Sequence, residues 1–401
     1  MIQNSNQPKN HDVFYVGLLS FFGGIGQDIF VPVLPLYLTL VLGFDKTFVG
    51  TTEGLVSASA AIFAVVGGYF SDKWKKQKSL IFSGYLLSMI SRSLLAVITS
   101  GLGVVGLRLG DGIGKGVKDP PKDVLVAGDS KKTRGRSFGI VRMLDTLGSV
   151  VGPLILFLLL YFFKDNPHVY HYVLIFSAVP LIATLYITAA KLKDYSYVRP
   201  NQELEHSNNK LSGKLPKSFF LFLVISLVFT LGNSSDAFLI LRAQGVGFSI
   251  ILIPIVIALF NLVYAGVSVP FGILSDKIGR APTLLIGWAV YVLTYFGFAY
   301  VPHPAMIWVL YALYGVYFGA TWGVAKAFLA DIVGQEFRGR AFGIYGTTIG
   351  VATFFASLIA GFLWDKFGAQ APFYFGAGMA ALAALLLVSF SKKLKSVQQE
   401  I

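Results

Sequence analysis

The chain has 401 residues, 55% hydrophobic and 13% charged, with a formal net charge of +13 and no cysteine. Soluble domains carry about 25% charged residues, so this composition excludes an ordinary soluble enzyme and gives a polytopic membrane protein, while the missing cysteine excludes disulfides, thiol catalysis and cysteine-ligated metals. The excess Lys and Arg fall in the loops on one side of the predicted spans, which makes the charge a topology signal and not a nucleic-acid footprint.

Apolar runs of spanning length lie at about 13–41, 47–70, 79–99, 101–127, 137–162, 170–190, 218–240, 249–272, 281–301, 304–329, 341–363 and 372–390. The expected fold is all-α, with twelve transmembrane helices. The first run follows a polar tail without a secretory-signal pattern and carries Asp28 within GGIGQDIFVPVLP. The second carries Glu53, expected to be solvated near its outer end, and closes on Asp72. In the third, Arg92 stands mid-span with no charge near it in sequence, so it needs a partner on another helix: Asp28, Asp111 or Asp145.

The fourth run holds the densest charge. At 100° per residue, Arg108, Asp111, Lys115, Lys118, Asp119, Lys122 and Asp123 share an arc of about 140°. A charge at the bilayer centre costs about 2.5–3.5 kcal/mol, so Arg108 and Asp111 must face water, partner charges or a ligand, whereas Lys122 and Asp123 are expected to be solvated at the end of the span. Pro120 and Pro121 predict a break or kink. In the fifth run Arg142 and Asp145, three apart, can pair on one helical face, and Gly148, Gly152 and Pro153 continue that face as a close-packing surface.

Residues 191–217 read as a cytoplasmic linker between 1–190 and 218–401. The seventh run places Asp236, within LGNSSDAFLI, at a depth comparable to Asp28, and polar groups beside Gly and Pro suggest discontinuous helices there. The eighth run closes on Asp276. In the tenth, Tyr314, Tyr317 and Phe318 form an aromatic stripe, a pattern that more often packs against a neighbour or lipid than lines a cavity. No metal site is expected, because the nearby pair His168 and His171 lacks an acidic cluster. Lys/Arg bias puts both termini in the cytoplasm.

The chain repeats itself. GYFSDK at 68–73 matches GILSDK at 272–277, and RGRSFGI at 134–140 matches RGRAFGI at 338–344, both offset by 204 residues. Two unrelated motifs sharing one offset imply two homologous six-helix halves. The loop GILSDKIGR resembles the signature of the major facilitator superfamily (MFS), and GYFSDKWKK resembles it with Lys75 in place of a glycine. Arg108-x-x-x-Gly112-x-Gly114 resembles the superfamily's fourth-span motif associated with proton coupling, and Gly148-x-x-x-Gly152-Pro153 the fifth-span motif of drug and metabolite antiporters.

That resemblance implies the MFS fold and a proton-coupled secondary transporter in the cell inner membrane, working by alternating access on a small organic molecule, with export the first expectation. Asp28 or Asp111 would exchange the proton, with Arg108 and Asp145 beside them. Arg92, Lys115, Arg142, Asp236, Tyr314 and Tyr317 are the substrate candidates. Asp72, Arg134, Asp276 and Arg338 are the gate candidates. Excess cations in the first half favour, as the alternative, a symporter importing an organic anion. A membrane enzyme or a non-transporting sensor on the same fold is the reading from another class, and the residues offer no nucleophile, phosphate loop or metal set for catalysis. No cofactor, a monomer, and protons plus a small molecule as partners complete the expectation.

Overall fold

In the computed structural model, residues 10–74, 76–127, 134–192, 194, 215–333 and 337–394 are described. The described chain is helical, without strands. The helices are α1 (Asn10–Leu36), continued by a π-helical turn (Tyr37–Val41), α2 (Lys46–Trp74), α3 (Gln77–Leu95), α4 (Gly101–Ala127), α5 (Arg134–Phe162), α6 (Val169–Phe176) and α7 (Val179–Lys191). They continue with α8 (Lys217–Gly232), α9 (Ala237–Gly245), α10 (Ile253–Ile278), α11 (Arg280–Tyr300), α12 (Met306–Ile332), α13 (Arg338–Phe367) and α14 (Ala371–Phe390). Ten described segments are long and apolar enough to cross a membrane, with α6 and α7 sharing one and α8 and α9 another. The helices α3 and α4 complete the expected twelve and are more polar than the rest, α4 because it carries the row from Arg108 to Asp123.

The chain divides into two compact units, residues 1–44, 55–198 and 251–258 in one and 45–54, 199–250 and 259–401 in the other. In the first unit α1 packs on α5 and on α6 and α7, and α3 packs on α4 and α7. In the second, α8 packs on α13 and α14, and α11 on α12 and α14. These are the same pairings, six spans further on. The expected linker 191–217 falls almost wholly outside the described residues.

Small residues set the close contacts. In α4, Gly110 and Gly114 face α3, where an added Cβ would stand 2.6 Å from Ser91 Oγ and 2.6 Å from the Gly84 carbonyl. Gly112 and Gly116 face α2 against Ser59 and Ala60. Two glycine rows on different faces wedge α4 between its neighbours at backbone distance, which van der Waals packing in an apolar medium rewards. Gly148 and Gly152 do the same for α5: a Cβ at the first would strike the Phe21 carbonyl, and at the second would stand 2.8 Å from that of Ile25. Between α10 and α11 the turn is made by Gly279 at φ 96°, a region glycine enters without a steric penalty. Its counterpart Lys75 lies outside the described residues.

Two expectations need correction. Of the break or kink expected at Pro120 and Pro121, the break does not occur, since both lie inside a continuous α4; neighbouring helices can re-satisfy the carbonyls a proline frees in a membrane span. And α1 runs without a break past Asp28, with Pro32 and Pro35 inside it, so discontinuity belongs to the seventh span alone of the two compared.

Candidate functional site

The α3–α4 hairpin brings Arg92 to Asp111. Arg92 Nε donates to Asp111 Oδ1 at 3.1 Å, and Nη2 donates to Gln27 Oε1 on α1 at 2.6 Å. The second oxygen of Asp111 is 3.4 Å from Arg108 Nη1 and 3.6 Å from Lys115 Nζ. Arg108 and Lys115 reach it because they lie one turn before and one turn after on the same helix. Phe30, again from α1, lies under both guanidinium groups, its ring centroid 5.1 Å from Arg92 Cζ and 5.4 Å from Arg108 Cζ. Asp111 is 0% exposed, Arg108 1% and Arg92 3%. Of the three partners the sequence allowed for Arg92, the structure selects Asp111.

Three cations, Arg92, Arg108 and Lys115, thus gather on the one carboxylate of Asp111. Arg92 Nη1 is moreover buried without a hydrogen-bond partner. A buried ion set gains from its mutual attraction only if the geometry and the remaining hydrogen bonds are good, so a further negative or hydrogen-bonding group fits here. Asp28 is a candidate, because Lys115 and Arg92 act on it. It is partly buried, Ser149 hydrogen-bonds it, and the charges that act on it are Asp145, Lys115 and Arg92. A Cβ on Gly152 would lie 3.0 Å from Asp28 Cβ, so α5 presses directly on this carboxylate's stem.

Other residues of the row lie elsewhere. Arg142 Nη1 and Asp145 Oδ2 pair at 3.0 Å as expected, both more than a third exposed. Lys122, expected to be solvated, is instead only 16% exposed in its side chain; it shares Asp119 with Lys118 at 3.1 and 2.7 Å. The Lys118 and Lys122 ammonium groups stand over the Tyr85 ring, at 5.0 and 5.8 Å respectively. The aromatic face replaces water around these lysine heads, which the sequence pattern alone did not reveal. Glu53 is likewise partly buried where solvation was expected.

The second unit is built of rings. The seventh span breaks between Gly232 and Ala237, and Asp236 stands in the break, where Tyr314 donates to its Oδ1 at 2.7 Å. Asn233 Nδ2 donates to Tyr317 Oη at 3.2 Å. Tyr314 and Tyr317 are buried, and their centroids lie 5.5 Å apart. Tyr291 stacks on Tyr295 at 4.0 Å and meets Tyr317 edge-on at 4.8 Å, while its hydroxyl donates to the Gly232 carbonyl at 2.9 Å, at the lip of the break. On α12, Tyr314 and Tyr317 are thus held among neighbouring rings, Phe318 is partly buried and Trp322 at the end of the stripe is exposed. Beyond the break, Arg242 on α9 donates to the carbonyls of Phe298 and Ala299, both at 2.9 Å.

At the loop ends, Asp276 Oδ1 meets Arg280 Nη1 at 2.6 Å, and Arg280 Nε meets Asp331 Oδ2 at 3.2 Å. Arg338 donates to the Ala330 carbonyl near the end of α12 at 3.2 Å. The side chains of Asp72 and Arg134 lie outside the described residues. What sequence reading missed is mostly uncharged: Gln27, Phe30 and Ser149 around the ion cluster, and Tyr291 and Tyr295 in the second unit. The available signals were Gln27 beside Asp28 in an apolar span, and two tyrosines four apart in the ninth.

Comparison with known proteins gives a consistent result. A family model described as Major Facilitator Superfamily matches residues 16–254 and 219–400. An uncharacterized MFS-type transporter of Methanocaldococcus jannaschii is 35% identical over 395 residues, 96% of each chain. A class E tetracycline resistance protein of Escherichia coli is 31% identical over 152 residues, 37% of this chain and 36% of that one. Among solved structures, a mutant of the nucleoside transporter NupG superposes with a TM-score of 0.79 at 14% identity, covering 94% of this chain and 99% of that one.

Proposed function

We propose, from the premise that this chain belongs to the Major Facilitator Superfamily and is a multi-pass membrane transporter of small molecules, that it is a proton-coupled exporter working by alternating access in the cell inner membrane. The observation that carries the reading is the first unit's ion cluster, in which Asp111 serves three cations and Asp28 stands beside them. Asp111 is committed to Arg92, Arg108 and Lys115 and acts as their fixed counter-ion. Asp28, held by Ser149 and pressed by Gly152, is then the carboxyl that takes up and releases the proton. Arg108 and Asp145 tune its surroundings, and Arg92 and Lys115 sense its charge and contact substrate.

Export rather than import is supported by the partial likeness, 32% identity over 123 residues, to a multi-drug resistance efflux pump of Streptococcus pneumoniae and by the fifth-span glycines packed on α1. In this reading residues 1–190 and 218–401 are the two moving halves, Asp276 with Arg280 and Arg338 with α12 belong to the gate, both termini are cytoplasmic, and a monomer is the working unit. A second reading starts from the gathering of Arg92, Arg108 and Lys115 in the first unit, which would suit a symporter importing an organic anion.

The test is transport in proteoliposomes under an imposed pH gradient. Wild type is expected to respond to the gradient and Asp28→Asn to lose the response. Transport indifferent to the gradient in the wild type would sink proton coupling; gradient-driven accumulation of an organic anion against its concentration would establish the second reading.

A further inference from the structure

The break in the seventh span has chemistry that proton coupling does not use. Asp236 is exposed, yet it lies within a 29-residue apolar span, Lys217–Gly245. A carboxylate is not stable against hydrocarbon, so the exposed side of Asp236 faces water and is open to a solute. Among the described residues it makes no ion pair, and the one charge acting on it is that of Glu53, another acid. Its Oδ1 accepts the Tyr314 hydroxyl. Two more polar atoms of this neighbourhood, Asn233 Oδ1 and Tyr311 Oη, are buried without a hydrogen-bond partner. Asn233 lies three residues before Asp236, and Tyr311 one helical turn before Tyr314.

The break thus presents oxygen acceptors and, among the described residues, a carboxylate at Asp236 that makes no ion pair. Around them stand ring faces. Tyr314 lies 5.4 Å from Phe260 and 5.2 Å from Phe318, centroid to centroid, and Tyr295 lies 6.4 Å from Tyr314. Carboxylate, amide and phenol oxygens accept the three N–H bonds of an ammonium group, and tyrosine faces attract a cation through their negative quadrupole while stacking on a planar body. A half-helix end beside unwound backbone is where transporters of this construction hold cations and substrates. We propose that Asp236, Asn233 and Tyr311, with Tyr314 and Phe318, form a subsite for the protonated amine of a substrate with an aromatic or apolar body. The inference rests on the transport reading and adds a substrate class to it.

The test is equilibrium binding to the purified full-length protein in detergent, with three probes that share an indole ring: tryptamine, which is cationic, N-acetyltryptamine, which is neutral, and indole-3-propionate, which is anionic. Tryptamine is expected to bind most tightly. Charge-assisted hydrogen bonds are worth roughly 10- to 100-fold in affinity, so Asp236→Asn should weaken tryptamine by that factor while leaving the weak affinity for N-acetyltryptamine in place, which also reports a folded variant. Tyr314→Phe, which keeps the ring, should weaken tryptamine by only a few-fold. Equal or tighter binding of the neutral or anionic probe, full affinity in Asp236→Asn, or no binding of tryptamine to the wild type each overturns the proposal. Binding at equilibrium needs no gradient. Tryptamine held through Asp236 but moved indifferently to a pH gradient would sink proton coupling and leave this subsite standing; gradient-driven transport of other solutes without tryptamine binding would do the reverse.

Discussion

The two units solve the same packing problem with different materials. Both pair their first span with their fifth and their third with their fourth, and both place polar groups within those spans. The first unit fills its interior with ions, four charged side chains joined through Asp111 over the ring of Phe30. The second fills the equivalent helices with tyrosine and phenylalanine, joined by neutral hydrogen bonds such as Tyr291 to the Gly232 carbonyl. An ion cluster is sensitive to the loss of one member, because the partner charges remain buried. A ring cluster loses only the atoms removed. The comparison therefore predicts unequal fragility between units of common architecture.

The largest effect should come from Asp111→Asn, which leaves three cations without their shared counter-ion. The expected loss is about 3–5 kcal/mol, read as a large fall in thermal stability of the detergent-solubilised protein; a fall no greater than for a neutral core variant would mean that other groups balance these charges. Next comes Gly148→Val, which pushes a side chain into the Phe21 carbonyl and costs about 1–3 kcal/mol by overpacking. Transport should fall with it, and an unchanged melting profile would show that α1 and α5 can separate. In the second unit Tyr291→Phe removes one buried hydroxyl and keeps the ring, for about 1 kcal/mol; a loss matching that of Asp111→Asn would erase the contrast. The smallest effect belongs to Arg142→Gln. Its pair with Asp145 is largely exposed, and such pairs contribute about 0–1 kcal/mol, so stability should be almost unchanged.

Much of the fold was legible because membrane spans obey a simple rule of length and hydropathy, and because the 204-residue offset exposed the repeat. The Arg142–Asp145 pair was legible too, since both lie on one helix three residues apart. Arg92 was legible as a residue needing a partner, and the choice of Asp111 was not, because it depends on how glycines let α3 and α4 approach. Pro120 and Pro121 do not end the helix for a related reason: a local breaker is overruled when both faces of a helix are held by neighbours. Lys122 was misjudged because snorkelling onto Tyr85 is a property of the packed hairpin and leaves no mark in the spacing. The tyrosine cluster was visible on α12 alone; its other wall, on α11, required the three-dimensional pairing of those helices.

The short helix beyond the break, nine residues long, is below the length at which a helix holds itself together in isolation. What steadies it is the guanidinium of Arg242, clasping the last carbonyls of α11 where that helix's partial negative charge is concentrated. The location of Asp236 is thus not set by its own span alone. It is moored to the ninth, and any shift of α11 along its axis would tow the carboxylate with it, as a rod pulls a lever through a pinned joint.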